Sequence, residues 1–223
     1  RKSYSDVFCR ETLSSWSRVL KTQLLKTNAE VRYNTKVTQE LIEEIKPDVV
    51  IVATGAVPIV PPIPGINGNN VYLASEVEEK GTDQLGDEIV ILGGGLVGCE
   101  TAIHLGKLGK KVTVVEMRSE AAADCNYFHK IAIGMELEKY VTVLTDTKAE
   151  NITDKGLEGL DKDGNKIFVP ADAVICAAGM RSDTTVADMV QKMEIEMYVI
   201  GDAVRPNKVT QAIFDGYYIA KYL

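Results

Sequence analysis

Ile89-Val90-Ile91-Leu92-Gly93-Gly94-Gly95-Leu96-Val97-Gly98 decides how this chain is read. Four consecutive aliphatic residues run straight into a glycine turn. A run so short and so apolar suits a parallel strand buried on both faces. Gly93, Gly95 and Gly98 form the G-x-G-x-x-G pattern, and the residues after them read as a helix to about Leu108. Lys111–Glu116 is the next strand, and Glu116 stands 23 residues beyond Gly93. Strand, glycine turn, helix and a strand closed by an acid together form a dinucleotide-binding fingerprint, whereas the glycine pattern alone is weak. Each part has a task. Gly93 allows the tight turn. Gly95 lets the backbone come close to a pyrophosphate. Gly98 lets helix and strand pack closely. The helix N-terminus offers unpaired N–H groups and a positive dipole end to the phosphates. Glu116 accepts hydrogen bonds from the adenosine ribose and repels a 2′-phosphate, which favours NADH over NADPH. Arg118, two residues on, softens that preference.

Outward from this core, the periodicity predicts strands alternating with helices. Leu13, Trp16, Leu20 and Leu24 recur at helical spacing, giving an amphipathic helix over 11–26. Val31–Tyr33 is a short strand candidate, and Thr38–Lys46 is helical or turn-like before Pro47. Val49–Ala53 is a β-branched run expected to be buried on both faces. Residues 57–70 hold four prolines and two glycines and read as a connector. Residues 126–139 read as a helix anchored by Ile131, Met135 and Leu137, with a strand at Val141–Leu144. Leu157–Val169 is a hairpin turning at Asp163-Gly164, Val174–Ala177 a buried strand, Tyr198–Ile200 a short strand, and 209–222 a final helix. The alternation predicts α/β architecture with a mainly parallel sheet.

The chain also repeats itself. Asp48-Val49-Val50-Ile51-Val52-Ala53-Thr54-Gly55 and Asp172-Ala173-Val174-Ile175-Cys176-Ala177-Ala178-Gly179 share D-x-V-I-x-A-x-G. Upstream, Asn34-Thr35-Lys36 matches Asp146-Thr147-Lys148. Two related units follow. Projected onto the first, the glycine loop of the second falls roughly 20 residues before Arg1. The first unit is therefore expected to lack its opening strand and glycine turn, and the chain to be a fragment of a longer protein.

Of 223 residues, 25 are Lys or Arg and 32 Asp or Glu, for a net charge of −7. That balance argues against nucleic-acid binding as the main business. No apolar run approaches the roughly 18 residues needed to cross a bilayer, and no signal peptide is recognisable. A cytoplasmic protein with reduced thiols is expected. Cys9, Cys99, Cys125 and Cys176 form no metal-ligand or redox spacing. Glu100 and His104 lie four apart on one helix face, which suits a surface pair or acid–base work. His129 reads as structural or solvated. Asp202, after Gly201, suits either a ribityl or sugar hydroxyl or a turn.

Taken together, KPDVVIVATGAVP (46–58), IPGINGNNV (63–71), GGGLVGCETAIHLGKLGKKVTVVEM (93–117) and MYVIGDAVRPNKVTQAIFDGYYIA (197–220) resemble the two-dinucleotide-binding-domain flavoproteins. They are most similar to the carboxyl-terminal half of NADH:flavin oxidoreductases of the 2,4-dienoyl-CoA reductase, enoate reductase and trimethylamine dehydrogenase kind. The resemblance implies tandem Rossmann-like, three-layer units with the first truncated. The expected division is 1–84 and 187–223 for the FAD-type domain, with an NAD(P) domain at 85–186. It implies that Gly93, Gly95, Leu96, Val97, Gly98, Glu116, Met117, Arg118 and Gly179 line the NADH site. Ala53, Thr54, Gly55, Gly201, Asp202, Gln211 and Ala212 would lie near FAD. An FMN-bearing barrel with an iron–sulfur cluster, handling an α,β-unsaturated small molecule, would precede this part, and oligomerisation stays open. Because hydride transfer needs positioning rather than a proton donor, no catalytic side chain is assigned and no metal ligand is expected here. Two rivals stand beside this reading. One is an ADP-holding module without a part in turnover, as the resemblance to trimethylamine dehydrogenase implies. The other is a disulfide- or ferredoxin-type NADH reductase. Met180-Arg181-Ser182-Asp183 departs from the pattern, having Ser where proline is common.

Overall fold

A computed structural model describes residues 10–223. Its helices are α1 (Arg10–Leu24), α2 (Gln39–Ile45), α3 (Ala74–Lys80), α4 (Leu96–Lys107), α5 (Tyr127–Tyr140), α6 (Thr185–Gln191) and α7 (Val209–Tyr222). The strands are β1 (Val49–Val52), β2 (Ala56–Pro58), β3 (Val71–Leu73), β4 (Glu88–Leu92), β5 (Lys111–Val115), β6 (Val141–Leu144), β7 (Lys148–Thr153), β8 (Gly156–Leu160), β9 (Lys166–Pro170), β10 (Ala173–Cys176), β11 (Met180–Ser182) and β12 (Glu196–Val199). The chain forms two compact units. One is built on residues 10–23 and Ile59–Gly179, and the other on Leu24–Pro58 and Met180–Leu223.

In the first unit, β3, β10, β4, β5 and β6 form a five-stranded parallel sheet in that order. Alternate residues of these strands face opposite layers. Ile89, Ile91, Val112, Val114 and Ile175 pack with Val77, Ala102 and Leu105 of the helices. Val90, Leu92, Val115, Val174 and Cys176 pack with Ile152, Leu157 and Val169 of the antiparallel sheet β7–β8–β9. The result is three layers, and the unbroken aliphatic runs follow from burial on both faces. Each fully buried Ile or Leu removed from water contributes roughly 1.5–3 kcal/mol. On α5 the expected stripe holds only at Leu137, which is buried with Ile133 against Cys99 and Ile103, while Ile131 and Met135 are exposed. Asn126 sets the helix phase, its side chain accepting from the His129 N–H at 3.0 Å.

The second unit is thinner. Parallel β1–β12 and antiparallel β2–β11 are separate two-stranded sheets. The expectation that Val49–Ala53 is buried on both faces fails. Val52 is buried but Ile51 is 43% exposed, because a two-stranded ribbon has too few neighbours to cover it. Val31–Tyr33 is irregular and turn-like rather than a strand, with Val31 and Tyr33 exposed. α2 starts where the Thr38 side chain accepts from the Leu41 N–H at 3.3 Å. Of the stripe expected on the first helix, Leu20 and Leu24 are exposed, and the side chains of Leu13 and Trp16 lie outside the described residues.

The repeat has a backbone counterpart. Asn34 and Asp146, matched by the alignment, both adopt left-handed φ, 52° and 49°. The glycines closing the matched strands do likewise, 80° at Gly55 and 102° at Gly179. The borders between units stand at 58/59 and 179/180 rather than at 84/85 and 186/187. The connector and β3 go with the parallel sheet, because β3 pairs with β10. Among the described residues no helix is long and apolar enough to cross a membrane.

Candidate functional site

The glycine turn leaves β4 at Gly93, whose N–H donates to Val115 O at 2.9 Å. Gly93 has φ 107°, and a Cβ there would stand 2.5 Å from Ala177 O. A Cβ on Gly98 would stand 2.0 Å from Gly93 O. Both glycines are thus demanded by the chain's own packing. Gly95 is different. It has an ordinary φ of −68°, and its nearest neighbour to a built Cβ is Asp124, at 3.7 Å. Nothing in the protein excludes a side chain at Gly95, so its bare backbone leaves room for something else to approach.

Glu116 is 7% exposed at the end of β5. Its Oε2 accepts from the Gly94 N–H at 2.5 Å and its Oε1 from the Arg118 N–H at 2.8 Å. These bonds fix the carboxylate beside the turn, and each oxygen keeps a further lone pair for a ligand hydroxyl. Gly93, Gly95, Glu116, Met117, Arg118 and Gly179 line one cavity of about 740 Å³, a volume within the range of small-molecule sites. Leu96 and Val97 do not line it. Leu96 packs with Cys99 and Ile103, and Val97 is exposed. Leu96 contributes its backbone instead, its N–H donating to Asp124 Oδ1 at 2.9 Å.

Sequence spacing missed Asp124, because it joins the site from the irregular segment that follows β5. Glu100 faces His129, with Oε1 3.8 Å from Nε2. Burial pushes the Glu100 carboxyl up to about 7, and the nearby Asp124 charge adds to the rise. Cys99 donates to Gly94 O at 3.2 Å, and burial pushes its thiol up to about 12, which removes it as a nucleophile. Cys99, Cys125 and Cys176 are not in disulfides, and Cys9 lies outside the described residues.

In the second unit, Thr54 Oγ1 donates to Asp183 O and the Asp183 N–H to Gly55 O, both at 3.0 Å, which ties Ala53-Thr54-Gly55 to the segment after β11. Gly201, at φ 59°, donates its N–H to Asp215 Oδ2 at 3.0 Å, and Gln211 Nε2 donates to Asp215 Oδ1 at 2.7 Å. Ala212 closes on Gly201, where a Cβ would come within 3.3 Å. Gly201, Gln211 and Asp215 line a cavity of about 460 Å³. Asp215 went unnoticed in the sequence. Asp202 Oδ1 accepts from the Asn207 N–H at 3.1 Å, so it does close a turn, with its second oxygen outside that bond.

A parallel sheet, a glycine turn opening α4 and a buried carboxylate at the end of the next strand define a dinucleotide-binding domain. The chain belongs to the pyridine nucleotide-disulphide oxidoreductase family, whose model matches residues 10–216. It is 31% identical over 206 residues to an NADH oxidase of Thermoanaerobacter brockii, covering 90% of this chain and 32% of that protein. It is 32% identical over 198 residues to a cinnamate reductase of Clostridium sporogenes, covering 86% of this chain and 29% of that one. Among solved structures, a 2-naphthoyl-CoA reductase complex superposes with a TM-score of 0.83 at 32% identity, covering 92% of this chain and 32% of the other. The chain thus spans about a third of the length of these relatives. The family's flavin and pyridine nucleotide set the coarse chemistry: this is an NAD(P)H-dependent flavin oxidoreductase module.

Proposed function

We propose that this chain is the nucleotide-handling part of an NADH-dependent flavin oxidoreductase acting on an α,β-unsaturated substrate of enoate or enoyl-CoA type. The observation that carries it is Gly95, a glycine that the protein's own packing does not require, set between a helix N-terminus and the large cavity. A pyrophosphate brought close to that backbone accounts for it.

The Ile59–Gly179 unit would hold NADH, the glycine turn taking the pyrophosphate and Glu116 the ribose hydroxyls. A 2′-phosphate beside the buried Glu116 carboxylate would be repelled, which favours NADH over NADPH. Gly201, Gln211, Ala212 and Asp202, with Ala53, Thr54 and Gly55, would face FAD. Bound FAD supplies a hydride acceptor. The chain's residues bind and orient, and none needs to move a proton for the hydride step. A barrel with FMN and an iron–sulfur cluster, in the part of the protein that lies outside this chain, would carry the substrate. The unsaturated substrate is supported by the cinnamate and naphthoyl-CoA reductases among the relatives.

The test is calorimetric titration of the chain with NADH and NADPH. NADH should bind, and NADPH should bind at least about tenfold more weakly, the scale of one unfavourable charge contact. Absence of binding by either nucleotide overturns the proposal. In the full-length protein NADH should bleach the flavin anaerobically. A flavin bleached by substrate but untouched by NADH would favour the non-catalytic ADP-holding rival.

A further inference from the structure

The N-terminus of α4, where the proposed dinucleotide site would take its phosphates, is engaged by an anion of the protein itself. The Leu96 N–H, at the first position of α4, donates to Asp124 Oδ1 at 2.9 Å. Asp124 lines the large cavity, and both of its carboxylate oxygens lie 3.7 Å from where a Gly95 Cβ would be. This carboxylate therefore stands over the bare backbone that a pyrophosphate would approach.

The segment that carries Asp124 is held down. The Ala122 N–H donates to Gly94 O at 2.7 Å, and the Cys125 N–H to Ala122 O at 3.0 Å. Ala122 is 1% exposed and adopts φ 52°, a left-handed conformation that costs a non-glycine residue about 1 kcal/mol or more and persists only where its surroundings hold it. The segment thus grips the glycine turn at two points, Gly94 O and Leu96 N. Neighbouring charge offers no relief, since the Glu100 carboxyl on the next turn of α4 is itself held back from ionising by burial and by Asp124. Two anions cannot share one N–H group. A phosphate has to displace the carboxylate or accept its repulsion.

Resting on the dinucleotide reading above, we infer that Asp124 competes with the ligand's pyrophosphate for the α4 N-terminus and so sets how strongly this site discriminates between phosphorylated and unphosphorylated nucleosides. With Asp124 in place, the phosphates gain little and the adenosine moiety carries most of the affinity. This makes Asp124 a specificity-determining residue that the glycine fingerprint alone does not reveal.

The experiment compares adenosine, ADP-ribose and NADH as calorimetric ligands of the 223-residue chain and of Asp124→Asn. The amide keeps an acceptor for the Leu96 N–H and removes the charge. ADP-ribose and NADH should tighten about tenfold in Asp124→Asn, the scale of one charged hydrogen bond replaced by a neutral one, while adenosine stays unchanged. A second measurement needs no variant: in the parent chain ADP-ribose should bind no more than about tenfold more tightly than adenosine, against the far larger gain expected where phosphates meet a free helix N-terminus. ADP-ribose affinity that is unchanged or weaker in a folded Asp124→Asn overturns the inference, as does a thousandfold preference for ADP-ribose over adenosine in the parent chain. If no ligand binds either protein, the dinucleotide reading fails and takes this inference with it. Adenosine binding without the Asp124 effect sinks the inference alone.

Discussion

Ile51 and Ile175 hold the same place in the two copies of the repeat, yet one is 43% exposed and the other fully buried. The difference lies in what surrounds them. Ile175 sits on β10, between β3 and β4 in a five-stranded sheet covered on both faces. Ile51 sits on β1, in a ribbon with β12 as its one partner strand. Of the 30 buried apolar residues among those described, only Ile42, Val52, Ala187, Val190 and Ala203 belong to the second unit. Its α7 also turns Phe214, Tyr217 and Tyr222 toward solvent. One sequence signal can therefore sit in a finished core or in a sheet whose apolar surface the chain itself does not cover.

Substitutions can break or sharpen this contrast. The largest effect is expected from Gly98→Ala. The new methyl would collide with Gly93 O, and the packed unit should lose about 3–5 kcal/mol, read by urea unfolding, together with nucleotide binding. Next comes the matched pair: Ile175→Ala should cost about 3–4 kcal/mol and Ile51→Ala less than about 1 kcal/mol. Equal costs would show that the two units are equally packed in solution.

A pH effect comes third. The folded Glu100 carboxyl titrates near 7, above its ordinary value of 4.5. The folded chain thus holds this proton more tightly than the unfolded chain does between those values. The group's contribution to stability is complete below about pH 4.5 and is lost as pH rises through 7. Asp124 and His129 are titratable groups beside it, and Glu100→Gln should flatten the slope, raising stability at pH 8 by about 2 kcal/mol. A profile identical in the two proteins would remove Glu100 as its source. The smallest change is expected from Gly95→Ala, less than about 0.5 kcal/mol in stability, because the φ is ordinary and the methyl meets only van der Waals contact with Asp124. NADH affinity should nonetheless fall at least about tenfold, since the methyl stands where the pyrophosphate would come. Loss of stability without loss of affinity would make this glycine structural.

The sequence was most readable where burial is two-sided. The runs at Ile89–Leu92 and Val174–Ala177 led to β4 and β10, and the turn residues Asp163-Gly164 led to the β8–β9 hairpin. The same logic finds β1 at Val49–Val52 but overstates its burial, since a β-branched run declares a preference for burial without guaranteeing the neighbours that provide it. Val31–Tyr33 failed for the same reason. On α5 Leu137 is buried as its spacing predicts, but Ile131 and Met135 recur at four-residue spacing too, and only packing against α4 selects Ile133 in their place. At the site, the glycines and Glu116 could be read because their spacing is local. Asp124 and Asp215 could not. Their partners lie 28 and 14 residues away, at Leu96 and Gly201, and no spacing rule links such a carboxylate to a distant N–H.

Within the unit that carries the glycine turn, the segment from Ile59 to Gly179 begins and ends at one point. The Ile59 N–H donates to Gly179 O at 2.9 Å, directly beyond the β2–β11 pair. Its two ends are thus a single hydrogen bond apart, and the 121 residues from Ile59 to Gly179 form a closed cassette. Such a segment can be grafted into a surface turn of an unrelated scaffold, or cut at the Asp163-Gly164 hairpin and rejoined through its old ends as a circular permutant, without stretching the host chain.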